Sequence, residues 1–212
     1  MTAKTARASK HGFTLIEFVA SVGIIAILSA VLFPIFAKAR QKSAETVCIS
    51  NEKQLSTAIN MYVQDNDQWL PINHYDRGIA WHELIAPYVK QRSAFKCPAD
   101  TIDKVKSESV TSYGVNGFFD DGANVNKIVG DTCIIYLTET AAWNRSAHFH
   151  PMCWNNDPIN AWAFVNGHPT ETAWNKHSGG ANYLFVDGHT QWENIESVFD
   201  PQENVDLFDP TP

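Results

Sequence analysis

Apolar residues are spread unevenly along this chain, and their spacing predicts its elements. From Phe13 to about Ala37 they form one near-continuous run, relieved by polar residues such as Thr14, Glu17 and Ser21 and carrying Pro34 near its end. A helix crosses a bilayer with ~20 such residues, so the run is long enough to do so. From Phe36 to about Val63 there is no Gly or Pro, and the pattern changes. Cys48, Leu55, Ile59 and Tyr62 recur at steps of seven, four and three, with Val47 and Ala58 beside them. That spacing predicts an amphipathic helix with one face buried in a core. Joined, the two runs predict one helix of ~50 residues, bent at Pro34.

Beyond Asp65-Asn66-Asp67-Gln68 the elements become short. Trp81-His82-Glu83-Leu84 predicts a brief helix stopped by Pro87, and residues 95–100 a loop. Residues 112–117 read as a weak strand and turn, and residues 132–138 as a buried strand. Residues 141–176 hold Trp143, Trp154, Trp162 and Trp174 among Asn, His and Pro, and read as a long irregular insertion. Two strand-like runs, 182–186 and 189–192, flank Asp187-Gly188. That pattern predicts a hairpin with a two-residue turn, both residues at positive φ. Residues 200–212 are acidic and Pro-bearing, as in a loose tail. The predicted fold class is α+β: a long N-terminal helix packed on a small antiparallel sheet with irregular loops.

Charge narrows the function classes. The formal net charge is -7 and no basic cluster follows the N-terminal region, so the chain has no electrostatic footprint for nucleic acid. Charged residues make up 18%, below the usual level of about 25%, as in heads displayed outside the cytoplasm. The four cysteines, Cys48, Cys97, Cys133 and Cys153, form no CxxC pair, so the common zinc and thioredoxin spacings are absent. Outside the cytoplasm, two disulfides are the default.

Three readings of the N-terminal segment compete. It can be a plain membrane anchor. It can be a secretory signal, because Ala37-Lys38-Ala39 has the small-x-small cleavage pattern, although the apolar run is long and contains an acid. The third reading rests on Lys10-His11-Gly12-Phe13-Thr14-Leu15-Ile16-Glu17, which closely resembles the prepilin peptidase site of type IV pilins and pseudopilins. The resemblance implies a cut between Gly12 and Phe13 on the cytoplasmic side of the inner membrane, with methylation of the new amine. Phe13 then becomes the first mature residue and Glu17 the fifth. An acid inside an apolar helix costs roughly 2.5–3.5 kcal/mol on insertion scales and persists when it has a partner. The Phe13 amine of a neighbouring subunit is the natural one, and the pairing would set the axial register of packed helices. The plainer alternative is a lone glutamate that snorkels to the interface.

A second resemblance covers more of the chain. His177, nine residues, then Asp187-Gly188 is the signature of a group of bacterial prepilin-like proteins named for that spacing. Residues 48–55, Met61-Tyr62, Asp65-Asn66-Asp67, Cys97-Pro98-Ala99-Asp100 and residues 112–116 fit the same group. Cys48 and Cys97 both sit in these motifs, so the resemblance favours a Cys48–Cys97 bridge and leaves Cys133 with Cys153. The residues alone allow three pairings. The resulting division is a leader over 1–12, a hydrophobic helix over 13–37, a head over 38–199 and a tail over 200–212.

Several constellations carry candidate chemistry. His148, His150 and Cys153 could chelate zinc or copper, in conflict with a Cys153 disulfide. The plainer alternative is ordinary aromatic packing. His177 with Asp187 resembles a base and its orienter. No nucleophile stands in a recognised context, however, so the expectation is a non-enzyme in which Asp187 serves the turn and His177 donates to nearby backbone. Asp65, Asp67 and Asp187 are oxygen ligands suited to calcium, which heads of the resembled pseudopilins can bind. No twelve-residue calcium loop is present, and helix-end and turn chemistry explains the same residues.

The expected function is structural. The subunit is processed by prepilin peptidase and self-associates into a type IV pilus or a type II secretion pseudopilus through the assembly machinery. Its head lies outside the cytoplasm. The alternative is an anchored adhesin that displays its Trp-rich insertion to glycans.

Overall fold

Helix α1 spans Leu15–Asp65 without a break and passes through Pro34. The structure is a computed structural model that describes residues 14–74, 77–100, 111–128, 133–141, 147–151, 164–165, 168–200, 202–203 and 205–210. The chain divides into two units, residues 1–40 and 41–212. In the first, every large apolar side chain from Leu15 to Phe36 is exposed.

The second unit is the head. Here α1 buries Cys48, Leu55, Ala58, Ile59 and Val63, and Tyr62 packs at the margin of the same core. Val47, expected beside that stripe, is exposed. Glu45, Asn51, Glu52 and Ser56 lie on the buried face instead. Hydrophobic periodicity passes over such positions because their side chains are polar. Helix α2, Trp81–Ile85, is short as predicted and runs into a 3-10 turn over Ala86–Tyr88 that contains Pro87. Its Trp81 is fully buried and donates from Nε1 to the Ala147 carbonyl at 2.8 Å.

The strands are β1 (Tyr113–Asn116), β2 (Ile135–Glu139), β3 (His148–Phe149), β4 (Phe164–Val165), β5 (His168–Pro169), β6 (Ala181–Phe185), β7 (Thr190–Glu193), β8 (Phe199–Asp200) and β9 (Val205–Asp206). Five form the main sheet in the order β3-β1-β2-β6-β7. Its pairs are antiparallel except β1 with β3, which run parallel with Val115 opposite His148. The expected antiparallel sheet is therefore mixed, and the extra strand comes from the stretch read as an irregular insertion. Gly114 makes this possible. A Cβ there would stand 2.5 Å from Thr140 Cγ2 and 3.3 Å from backbone atoms of Ala147 and His148.

Both faces of the sheet are covered. Val115, Tyr136, Leu137 and Leu184 join the α1 core. Ile135, Phe149, Ala181, Tyr183 and Phe185 form a second core with Ile195 and Val198 of helix α3 (Ile195–Val198), Phe199 and Phe208. This corrects the loose tail. Phe208 is fully buried, β8 pairs with β9, and Ile135 donates its backbone N–H to the Leu207 carbonyl at 2.7 Å. The buried Asn116 amide donates to both Ile135 O and Phe208 O. One apolar ring among acids and prolines is enough to dock the segment, because a sheet face was otherwise uncovered.

The hairpin lies where predicted, but its turn differs. Gly188 N–H donates to Phe185 O, Phe185 N–H donates to His189 O, and Leu184 pairs with Thr190. Gly188 has φ +92°, while Asp187 is not among the residues at positive φ. The connection is thus a three-residue loop in which a left-handed glycine follows the turn, rather than a two-residue turn.

Candidate functional site

Three places carry the candidate chemistry. The first is the start of α1. Gly12 and Phe13 lie outside the described residues, but Thr14 and Glu17 do not. Glu17 Oε2 accepts from the Thr14 N–H at 2.8 Å and from the Thr14 hydroxyl at 2.6 Å, and the Glu17 N–H reaches Thr14 Oγ1 at 3.3 Å. This reciprocal pair is a capping box, formed by T-x-x-E at a helix start. In the single chain, Glu17 therefore holds the first turn of its own helix. The signal was present in the sequence as Thr14 and Glu17 three apart.

The second place joins the signature residues. Cys48 and Cys97 form a disulfide with Cα atoms 5.3 Å apart, which ties α1 to the loop before β1. Beside it, His177 Nε2 lies 2.7 Å from Glu139 Oε1 and 3.6 Å from Cys97 Sγ. Both His177 and Glu139 are buried. Among the described residues, the His177 ring thus meets neither Asp187 nor backbone. It goes to a carboxyl at the end of β2. Glu52 is fully buried in the same region, and neither oxygen has a hydrogen-bond partner among the described residues. Burial, with Glu139 nearby, pushes its carboxyl well above the usual carboxylate range. Lys176 and Asp100 form a largely buried ion pair at 2.6 Å, and Ser112 donates to the other Asp100 oxygen.

Asp187 does serve the turn. It accepts from the His189 N–H at 2.9 Å and pairs with the His189 ring. Gly188 then rests on α1, where Ser56 Oγ donates to its carbonyl at 2.8 Å. A Cβ at Gly188 would meet Asn60 Nδ2 at 3.0 Å and Ser56 Oγ at 3.1 Å. The signature thus spans two separate tasks, the buried His177–Glu139 bond and the docking of the turn on the helix.

The third place is the rim beside β3. The strand alternates, so His148 and His150 share one side while Phe149 is buried against Phe208 in the second core. His148 Nε2 and His150 Nε2 stand 3.0 Å apart. Asp120, which follows β1 and its 3-10 turn, brings Oδ2 to 3.9 Å from His148 Nε2. Behind His150, Glu171 holds both the ring Nδ1 at 3.0 Å and the backbone N–H at 2.7 Å. The Asn73 amide contacts His148 Nδ1 at 2.8 Å. The hydrogen bond to Glu171 raises the basicity of His150, and burial pushes Asp120 up to about 7.

Other expected residues are not gathered. Among the described residues, two groups of His, Cys, Asp and Glu are close enough to share an ion: Cys48, Cys97, Glu139 and His177, and Asp120, His148 and His150. Neither contains Asp65, Asp67 or Asp187, so the calcium set is not assembled. Asp65 accepts from the Tyr88 hydroxyl, and the Asp67 carbonyl accepts from Asn124. Cys133 is exposed with a free thiol, and Cys153, its expected partner, lies outside the described residues. So do Trp143, Trp154 and Trp162, while Trp174 stacks on His168 with ring centroids 3.9 Å apart.

Residues 7–33 match the family model for the prokaryotic N-terminal methylation motif. No curated protein and no solved structure matches the chain. The motif marks a prepilin-type substrate of the processing peptidase and supports a type IV pilin-like protein, pilin or pseudopilin. With the apolar helix behind it, the motif also indicates membrane anchoring.

Proposed function

We propose that this chain is a structural filament subunit, cut between Gly12 and Phe13 and N-methylated at Phe13. One observation carries the reading: the processing motif covers most of a membrane-length stretch of α1, from Leu15 to Phe36, whose large apolar side chains are all exposed. So large an apolar surface requires lipid or other helices to cover it. Before assembly the helix anchors the subunit in the inner membrane, with its start in the cytoplasm and its head outside. After assembly the same face packs against copies of itself in a type IV pilus or a type II secretion pseudopilus. There Glu17 turns to the Phe13 amine of a neighbour. The head has a structural rather than an enzymatic role. In support, the His177 ring is spent on a buried carboxyl.

Intact mass and N-terminal sequencing of the protein from its native host test the reading. Methylated Phe13 as the first residue is the expected result. A start at Arg40 would mean that a secretory signal had been removed together with the helix, and the filament reading would fall with it.

A further inference from the structure

His148 and His150 are held in a way that packing alone does not require. Phe149, buried between them in sequence, fixes the register of β3, so both rings are placed by the core rather than by each other. Their Nε2 atoms are 3.0 Å apart with the rings at 86° and the ring centroids 4.5 Å apart. Those centroids are closer than a head-on N–H···N bond of that length permits, so the nitrogens do not face each other in line. Ligands at ~2.0–2.1 Å from a tetrahedral zinc ion stand about 3.3 Å from one another. The two nitrogens already lie near that separation, and Asp120 Oδ2 at 3.9 Å needs only a small inward movement.

The surroundings match a metal ligand set as well. Glu171 is buried and engages His150 through both carboxylate oxygens. A carboxylate on Nδ1 fixes the tautomer that directs the Nε2 lone pair at an ion, the usual outer partner of a metal-bound histidine. On His148 the Asn73 amide nitrogen lies 2.8 Å from Nδ1 while its oxygen accepts from the Trp81 N–H, so a metal at Nε2 requires that amide to turn and release Trp81. Two imidazoles and one carboxylate suit zinc and its transition-metal neighbours rather than calcium or magnesium, which prefer all-oxygen sets.

We propose that Asp120, His148 and His150 bind a zinc-class divalent cation at the rim of the head, with Glu171 as the positioning residue. Three protein ligands leave one position for water or for an outside group. The site is independent of processing and assembly.

The test uses the full chain in detergent, stripped with a chelator and dialysed against Zn2+ in excess Mg2+. Expected are about one bound zinc per chain and its loss in His148→Ala with His150→Ala. Asp120→Asn weakens binding, and Glu171→Gln weakens it by roughly 10–100-fold while the ligands remain. Alkylating the thiols leaves binding unchanged. Co2+ in the unaltered protein gives tetrahedral visible bands without a thiolate charge-transfer band, a readout that needs no variant to fold. Absence of bound zinc in the wild type, zinc kept by the double histidine variant, zinc lost on alkylation, or a thiolate band would each overturn the proposal.

Discussion

The His177–Glu139 bond and the His148–His150–Asp120 group are built from the same side-chain types, yet their settings differ. The first is sealed: both residues are buried, and the Cys48–Cys97 bridge lies against the ring. The second is partly open, with solvent on one side and the buried Glu171 behind it. Composition alone cannot separate a structural histidine from a ligand. What separates them here is burial, complete for the His177 ring and partial for His148 and His150.

Variants can break or sharpen this contrast. Replacing both Cys48 and Cys97 by Ser removes a link between residues 49 apart in sequence, and the loop-entropy relation gives a loss of about 4 kcal/mol. Urea denaturation of the head, with and without reductant, measures it. His177→Ala leaves the buried Glu139 carboxyl without its ring partner and opens a cavity, for roughly 3 kcal/mol in the same assay. Gly188→Ala combines a left-handed φ with contacts to Ser56 and Asn60 and costs about 1–2 kcal/mol. His150→Ala, tested without metal, costs about 1 kcal/mol or less, because the ring is partly exposed and Glu171 keeps the backbone N–H of residue 150. If His150→Ala proved as damaging as His177→Ala, the distinction between sealed and open groups would be wrong.

The pH dependence isolates Glu52. Its folded value is raised above the ordinary 4.5 by burial and by Glu139, with Lys176 acting in the opposite sense and the Tyr113 phenol also close by. A raised folded value means the unfolded chain ionises first. The contribution of Glu52 is therefore full below pH 4.5 and is lost as pH rises through its folded value. Glu52→Gln should flatten that decline in a series of denaturation curves and leave the acid side nearly unchanged.

Local chemistry was readable in advance where neighbours in sequence decide it. The stripe through Cys48, Leu55 and Ile59, the strand before Glu139 and the hairpin around Gly188 all follow from periodicity and turn residues. Features decided by distant partners were not readable. Glu52, Glu139 and Glu171 carry no local mark of burial, because what receives them comes from other segments. Phe208 was discounted for its acidic surroundings, although an uncovered sheet face awaited it. His148 and His150 stood out by spacing, but Asp120, 28 residues before His148, became a neighbour only through the parallel pairing of β1 with β3.

Glu17 comes to any neighbour already engaged. Its carboxylate holds the Thr14 N–H and hydroxyl, so a filament that recruits it to another subunit's amine performs an exchange of partners, not the rescue of a bare charge. Such an exchange is close to balanced, since one set of hydrogen bonds opens as another closes. Selectivity for the correct stagger between helices would then rest on a small difference between two satisfied states. A subunit offered the wrong stagger can close its own cap again and withdraw, so assembly would be self-correcting at each addition.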